Sequence, residues 1–134
     1  VVAFMSLQDI DDFEGAIRET ARVLRGGGRF CLAIVHPFNS AGRFDGEEAD
    51  SPFTITGSYL DHSYCADNIF RDGLEIDFVS AHRPLEAYTE AIAEAGLLVE
   101  RLREPALPDT AVARPRSQRW QRMPLFLHLR ALKP

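Results

Sequence analysis

The chain has 134 residues, 46% hydrophobic and 26% charged, which is enough apolar material for one core and excludes the composition of a disordered segment. Its 15 basic and 20 acidic side chains give a net charge of −5, which argues against a general binder of nucleic acid or anionic membranes and leaves a small molecule or a protein as partner. Cys31 and Cys65 follow no repeated spacing, so both read as free thiols in a reducing compartment, the cytoplasm, and no run approaches the length of a membrane span.

Val1 to Leu7, VVAFMSL, predicts a buried strand. It starts without Met, cap or polar lead-in, so a truncated domain that begins in mid-fold is expected. Phe13, Ala16, Ile17, Thr20 and Leu24 then recur at helical spacing, with Asp11 or Asp12 as cap. Arg25-Gly26-Gly27-Gly28-Arg29 follows, and Phe30 to His36 is a second apolar run. A phosphate-binding loop needs a strand before its glycines and a helix after them. Here the order is helix then strand, so the glycines are expected to stop the helix by taking the left-handed position beyond its end. Strand, helix and strand over residues 1–36 make a βαβ unit, the element of a parallel α/β sheet.

Residues 37–82 are polar, glycine-containing and aromatic, and read as a functional insertion or lid. Within them PFTITGSYL and LEIDFVSAH are expected to pair as short strands. Residues 83–134 return to regular structure. Pro84 opens a helix carrying Leu85, Tyr88, Ile92 and Ala95 on one face, and Gly96 stops it. LLVERLRE suits an exposed edge strand. Pro105 to Met123 is a proline-containing basic loop, and LFLHLRALK is a last strand, antiparallel to its predecessor because no helix separates them.

Four stretches, VVAFMSLQDIDD, AIRETARVLRGGGRFCLAIVHPF, HRPLEAYTEAIAEAGLLVERLREP and RMPLFLHLRALKP, together resemble the C-terminal half of class I S-adenosylmethionine-dependent methyltransferases that act on small molecules. The resemblance implies a partial Rossmann-like sheet of parallel strands, helices packed on it, and a last strand inserted antiparallel between the two before it. It implies S-adenosylmethionine as methyl donor and a small-molecule acceptor. In that family donor binding begins with a glycine-rich loop after the first strand and an acidic residue after the second, and neither occurs in these 134 residues.

Ligands of open parallel sheets sit beyond the carboxyl ends of the strands. The resemblance therefore implies that Ser6, Leu7 and Gln8 lie beside the donor and that His36, Pro37 and Phe38 face the acceptor. His36 is the candidate general base, or else a strand-end histidine with satisfied hydrogen bonds. Asp9 could contact a ligand, whereas Asp11 and Asp12 suit helix capping. Tyr59, Tyr64 and Phe53 could wall an acceptor pocket or pack within the lid, and His82 and Arg83 could reach the pocket, or else cap the helix after them or form a surface ion pair. Asp61, His62 and Cys65 lack the second ligand pair of a metal site. Arg114, Arg116, Arg119 and Arg122 could meet an anionic acceptor or form a solvated basic loop. Two readings follow: the acceptor-side half of such an enzyme, active only with the donor-binding half, or a noncatalytic fragment that folds and self-associates without binding the donor; a first strand without neighbours leaves an apolar edge, which predicts a homodimer through Val1 to Leu7.

Overall fold

A computed structural model describes every residue but Ala113, and every side chain but those of Asp67, Arg71, Ala113 and Pro115. The basic loop expected from Pro105 to Met123 thus lies partly outside the described residues.

The first strand is shorter than its apolar run. β1 spans Val2–Phe4, because Met5 turns into the left-handed region at φ 51° and Leu7–Asp9 winds into one 3-10 turn. It is also not buried on both sides, since Val2 and Phe4 are 76% and 74% exposed. α1 (Phe13–Val23) follows the predicted spacing and buries Phe13, Ile17 and Ala21, while the Asp12 carboxylate accepts the Gly15 N–H at 2.8 Å as its cap.

The glycines do not stop α1 as expected. Leu24 ends the helix in an extended conformation. The left-handed residue is Gly27, φ 75°, inside a turn that the Gly28 N–H closes on the Arg25 carbonyl at 2.9 Å. The last carbonyls of α1 are met instead by Lys133, whose Nζ donates to Ala21 and Leu24 at 2.6 and 2.7 Å.

β2 (Arg29–Val35) runs parallel to β1, pairing Val2 with Cys31 and Phe4 with Ala33. β8 (Phe126–Leu132) lies antiparallel between β2 and β7 (Leu98–Arg103), giving the order β1-β2-β8-β7. This is the inserted last strand that the family resemblance implied. Side chains alternate across the sheet. Phe30, Leu32, Ile34, Leu127, Leu129 and Ala131 face the core that α1 shares with α3 (Leu85–Glu94). The opposite face carries Val2, Phe4, Cys31 and Ala33 toward β1, and Arg130, His128, Arg101 and Arg103 toward β7, in two cross-strand rows. A shallow hollow of about 350 Å³ lies over these residues.

α3 begins one residue later than expected, with Pro84 as its cap, and Gly96 at φ 73° ends it as predicted. The insertion is more regular than its sequence suggested. Pro37 opens a short helix, α2 (Pro37–Ala41), capped by His36. The predicted pairing of PFTITGSYL with LEIDFVSAH does not form. β4 (Phe53–Ile55) pairs with β3 (Gly42–Phe44), and β6 (Leu74–His82) pairs with β5 (Ser63–Arg71). The cause is local: Asp72 and Gly73, at φ 54° and 80°, make a two-residue hairpin turn that fixes β5 on β6. α4 (Pro115–Gln118) interrupts the final loop. From that loop Arg119 donates to the Gly46 carbonyl and Arg122 to that of Ala49, so two of the basic side chains hold the insertion down. Among the described residues no helix is long and apolar enough to cross a membrane.

Candidate functional site

The carboxyl ends of β1 and β2 and the base of the β5–β6 ribbon converge on one cavity of about 580 Å³. Its lining includes Gln8 from the turn after β1, Ser40 from α2, Cys65 from β5, Ser80 and His82 from β6, and Arg83.

The turn after β1 is held from beneath. Arg83 is buried, at 4% exposure, and lies over the Phe13 ring with its guanidinium carbon 4.3 Å from the centroid. Its Nη1 donates to the Leu7 carbonyl at 3.3 Å, and its Nη2 to those of Ile10 and Asp11 at 2.8 and 3.4 Å. One guanidinium, with donors spread in a rigid plane, therefore folds the whole turn. Beside it burial pushes the Tyr88 hydroxyl up from its ordinary value, with Arg83 opposing.

Gln8 is 5% exposed, and its Nε2 donates to Asp9 Oδ2 at 3.0 Å. Asp9 Oδ1 in turn accepts from Ser80 Oγ at 2.6 Å. The carboxylate fixes which end of the Gln8 amide is nitrogen, because a carboxylate only accepts. Gln8 Oε1 is then a buried acceptor with no hydrogen-bond partner among the described residues.

His82 is 2% exposed. Its Nε2 lies 3.0 Å from the Tyr59 carbonyl and its Nδ1 2.7 Å from Ser40 Oγ. A carbonyl can only accept, so the proton sits on Nε2 and Nδ1 is the basic nitrogen. Ser40 Oγ is also 3.1 Å from the Pro37 carbonyl, which gives its hydroxyl proton a second acceptor. The Tyr59 hydroxyl accepts the Leu85 N–H at 3.0 Å, fixing the loop that supplies the carbonyl.

His36 is 1% exposed and engaged at both nitrogens. Nδ1 accepts the Phe38 N–H at 3.1 Å as the α2 cap, and Nε2 lies 2.8 Å from Glu104 Oε1. Phe38 stacks on His36 and leans against Tyr59, with centroids 5.3 and 5.1 Å apart. Among the other expected site residues, Leu7 is buried and gives its carbonyl to Arg83, and Ser6 precedes the turn. Pro37 is buried as the first residue of α2. Tyr64 is 67% exposed and borders a separate depression with His62, outside the cavity. Of the predicted residues, Gln8, His82 and Arg83 share the cavity.

Ser40 and Ser80 were not singled out in the sequence. A proline directly after a strand marks a helix start, and Ser40 lies one turn along. Ser80 had no such signal, since its place depends on ribbon register.

The sequence matches no family model and no curated protein. Solved structures match over the entire fold. A Listeria monocytogenes protein assigned to the S-adenosylmethionine-dependent methyltransferases superposes with a TM-score of 0.82 at 20% identity, over 100% of this chain and 60% of its own. An S-adenosylmethionine-dependent methyltransferase from Mesorhizobium loti gives 0.76 at 21% identity, over 98% of this chain and 59% of its own. The glycopeptide N-methyltransferase MtfA, solved with S-adenosylmethionine, gives 0.57 at 12% identity, over 100% of this chain and 53% of its own. The fold of this chain is thus that of a part of such methyltransferases, and the chain spans three fifths or less of those structures.

Proposed function

We propose that this chain supplies the acceptor-side part of an S-adenosylmethionine-dependent methyltransferase that acts on a small molecule. The observation that carries the reading is the match of its entire fold, inserted last strand included, to solved proteins of that kind.

When bound, the donor supplies a methyl group activated on sulfur. Ser6 and Leu7 would meet it on this chain's side, with Gln8 on the border toward the acceptor. The Arg83 clasp fits this role, because a turn fixed before binding loses little freedom on binding. Pro37, Phe38 and Tyr59 brace the α2 side of the site. His36 positions α2, and through it Ser40.

An acceptor group that carries a proton must lose it as its lone pair takes the methyl group. Ser40 Oγ can accept that proton while its own passes to His82 Nδ1. The imidazolium so formed keeps Nε2–H on Tyr59 and gives Nδ1–H to Ser40, whose new proton faces the Pro37 carbonyl. Each donor is satisfied in both states, which favours His82 over His36 as the base. The free thiols Cys31 and Cys65 suit a reducing compartment such as the cytoplasm.

Calorimetric titration of the full-length protein with S-adenosylhomocysteine tests the reading. Saturable one-to-one binding is expected. No binding at millimolar ligand would overturn it.

A second copy of the chain is the proposed protein partner. Among the described residues β1 lies at one end of the sheet with Val2 and Phe4 exposed, and an open strand edge of this kind is a geometry through which sheets extend across a two-fold axis. Sedimentation at neutral pH should give a dimer that Phe4→Asp dissociates, and a monomeric wild type would refute this pairing.

A further inference from the structure

Two side chains that line the cavity are left without a partner. Asn39 lies on α2 and Arg43 on β3, either side of the α2 end, and both border the space that Ser40 and His82 border. Among the described residues the Arg43 guanidinium and the Asn39 amide make no hydrogen bond, and Arg43 makes no ion pair, so their N–H groups are open to an occupant. The neighbouring arginines are engaged: Arg119 and Arg122 on the carbonyls of Gly46 and Ala49, Arg83 on those of Leu7, Ile10 and Asp11.

The charges that line the cavity have one sign. Arg83 is buried, and its acceptors are neutral carbonyls, which satisfy its hydrogen bonds and leave its charge without a direct ion pair. Arg43 adds a second positive charge, and among the described residues no carboxylate lines the cavity. Asp9, beside Gln8, is held by Gln8 and Ser80, and Asp45, two residues beyond Arg43, is held by Thr54 at 2.8 Å. An anion in this space gains from both guanidinium groups, and a cation loses. The planar donors of a guanidinium also match the two oxygens of a carboxylate.

We infer that the cavity holds a carboxylate of its occupant on Arg43, with Asn39 as a second donor. The inference rests on the methyl-transfer reading: the occupant is the methyl acceptor, a small carboxylic acid bound by its ionised carboxylate, which presents a separate hydroxyl or uncharged amine to Ser40. Binding and chemistry are thereby divided between two ends of the acceptor, and Arg43 sets specificity without taking part in the proton transfer.

The test uses pairs that differ in this charge: 3-hydroxybenzoate against 3-hydroxybenzamide, and 3-hydroxybutanoate against 3-hydroxybutanamide. Each is titrated into the full-length protein at neutral pH while the Arg43 Nε–H, the Asn39 side-chain amide and the His82 ring are followed by NMR. The carboxylate of at least one pair should shift Arg43 and Asn39 and bind about ten-fold more tightly than its amide, the ratio that corresponds to 1.4 kcal/mol. Arg43 is exposed and holds nothing else in the chain, so its variants keep the fold. Arg43→Gln should bring the members of that pair together, and Arg43→Lys should retain part of the difference. Arg103→Gln removes the same charge from the open face of the sheet and should leave the preference intact. Equal affinities within both pairs, no saturable shift at Arg43 from either carboxylate, a preference that survives Arg43→Gln, or one lost equally in Arg103→Gln overturns the inference. So does S-adenosylhomocysteine that displaces the carboxylate and itself shifts Arg43, because the residue then belongs to the donor. In those cases saturable S-adenosylhomocysteine binding leaves the methyl-transfer reading standing. A carboxylate preference without S-adenosylhomocysteine binding upholds the ligand class and removes methyl transfer as its use.

Discussion

The Arg83 guanidinium stacks on the Phe13 ring at 4.3 Å and from there reaches the carbonyls of Leu7, Ile10 and Asp11, joining the start of α3 to the turn after β1. Lysine at this position keeps the charge but cannot span those carbonyls in one plane. Arg83→Lys should therefore destabilise the fold by about 2–4 kcal/mol, as expected when hydrogen bonds to a buried charge are lost. Amide exchange should rise first at residues 7–11. Urea unfolding measures the loss, and a change below about 0.5 kcal/mol, in the range of ordinary surface substitutions, would show that the turn holds itself.

Lys133 closes the other end of α1. Its Nζ donates to Ala21 and Leu24, and its backbone pairs with Gly27 and Gly28, so the glycine turn fixes Lys133 while the Lys133 side chain caps the helix. A cation at a helix C-terminus meets both the unpaired carbonyls and the negative end of the macrodipole. Lys133→Met, which keeps the aliphatic stem, should cost about 1–2 kcal/mol. Equal unfolding midpoints for the two proteins would remove Lys133 from the account of how α1 ends.

The regular elements were legible because their signals are local. Apolar spacing placed α1 and α3, and the missing crossover helix made β7 and β8 antiparallel. Order along the sheet came through the family resemblance, since periodicity does not specify which strand inserts where. The insertion was misread at two points where a local signal was present: Pro37 after β2 starts α2, and Asp72-Gly73 makes the hairpin that pairs β5 with β6. The site itself was only partly readable. Ser40 meets His82 across 42 residues, and Ser80 meets Asp9 across 71, through contacts that no local pattern encodes. The exposure of Val2 and Phe4 also escaped, because an apolar run does not say how many faces of its strand are covered.

Tyr88 predicts an alkaline limit. Burial raises its hydroxyl above the ordinary tyrosine value, so between that value and the folded one the unfolded chain has released a proton that the folded chain still holds. Stability from this group is thus complete below about pH 10, the unperturbed tyrosine value, and declines as pH rises through the folded value. Tyr88→Phe should remove this part of the decline while keeping the ring on Phe13. Parallel stability curves for the two proteins above pH 10 would mean that the hydroxyl does not titrate with unfolding.

Glu100 sets the opposite limit. The β7 bulge brings its carboxylate to Arg29 at 3.0 Å and to Arg130 at 2.6 Å, linking three strands on the open face of the sheet. The Arg29 hydrogen bond foremost, with the charge of Arg130, holds the Glu100 carboxyl below its ordinary value against a smaller opposing effect of desolvation. In the acid range the unfolded chain then takes up this proton before the folded chain does, so stability is lost as pH falls through the folded value. Glu100→Gln should be less stable than wild type at neutral pH, and the two curves should converge below the ordinary carboxylate range. Because the network is solvent-exposed, added salt should also shrink the difference at neutral pH. A difference that persists unchanged at low pH and in high salt would assign the contribution of Glu100 to packing rather than to charge.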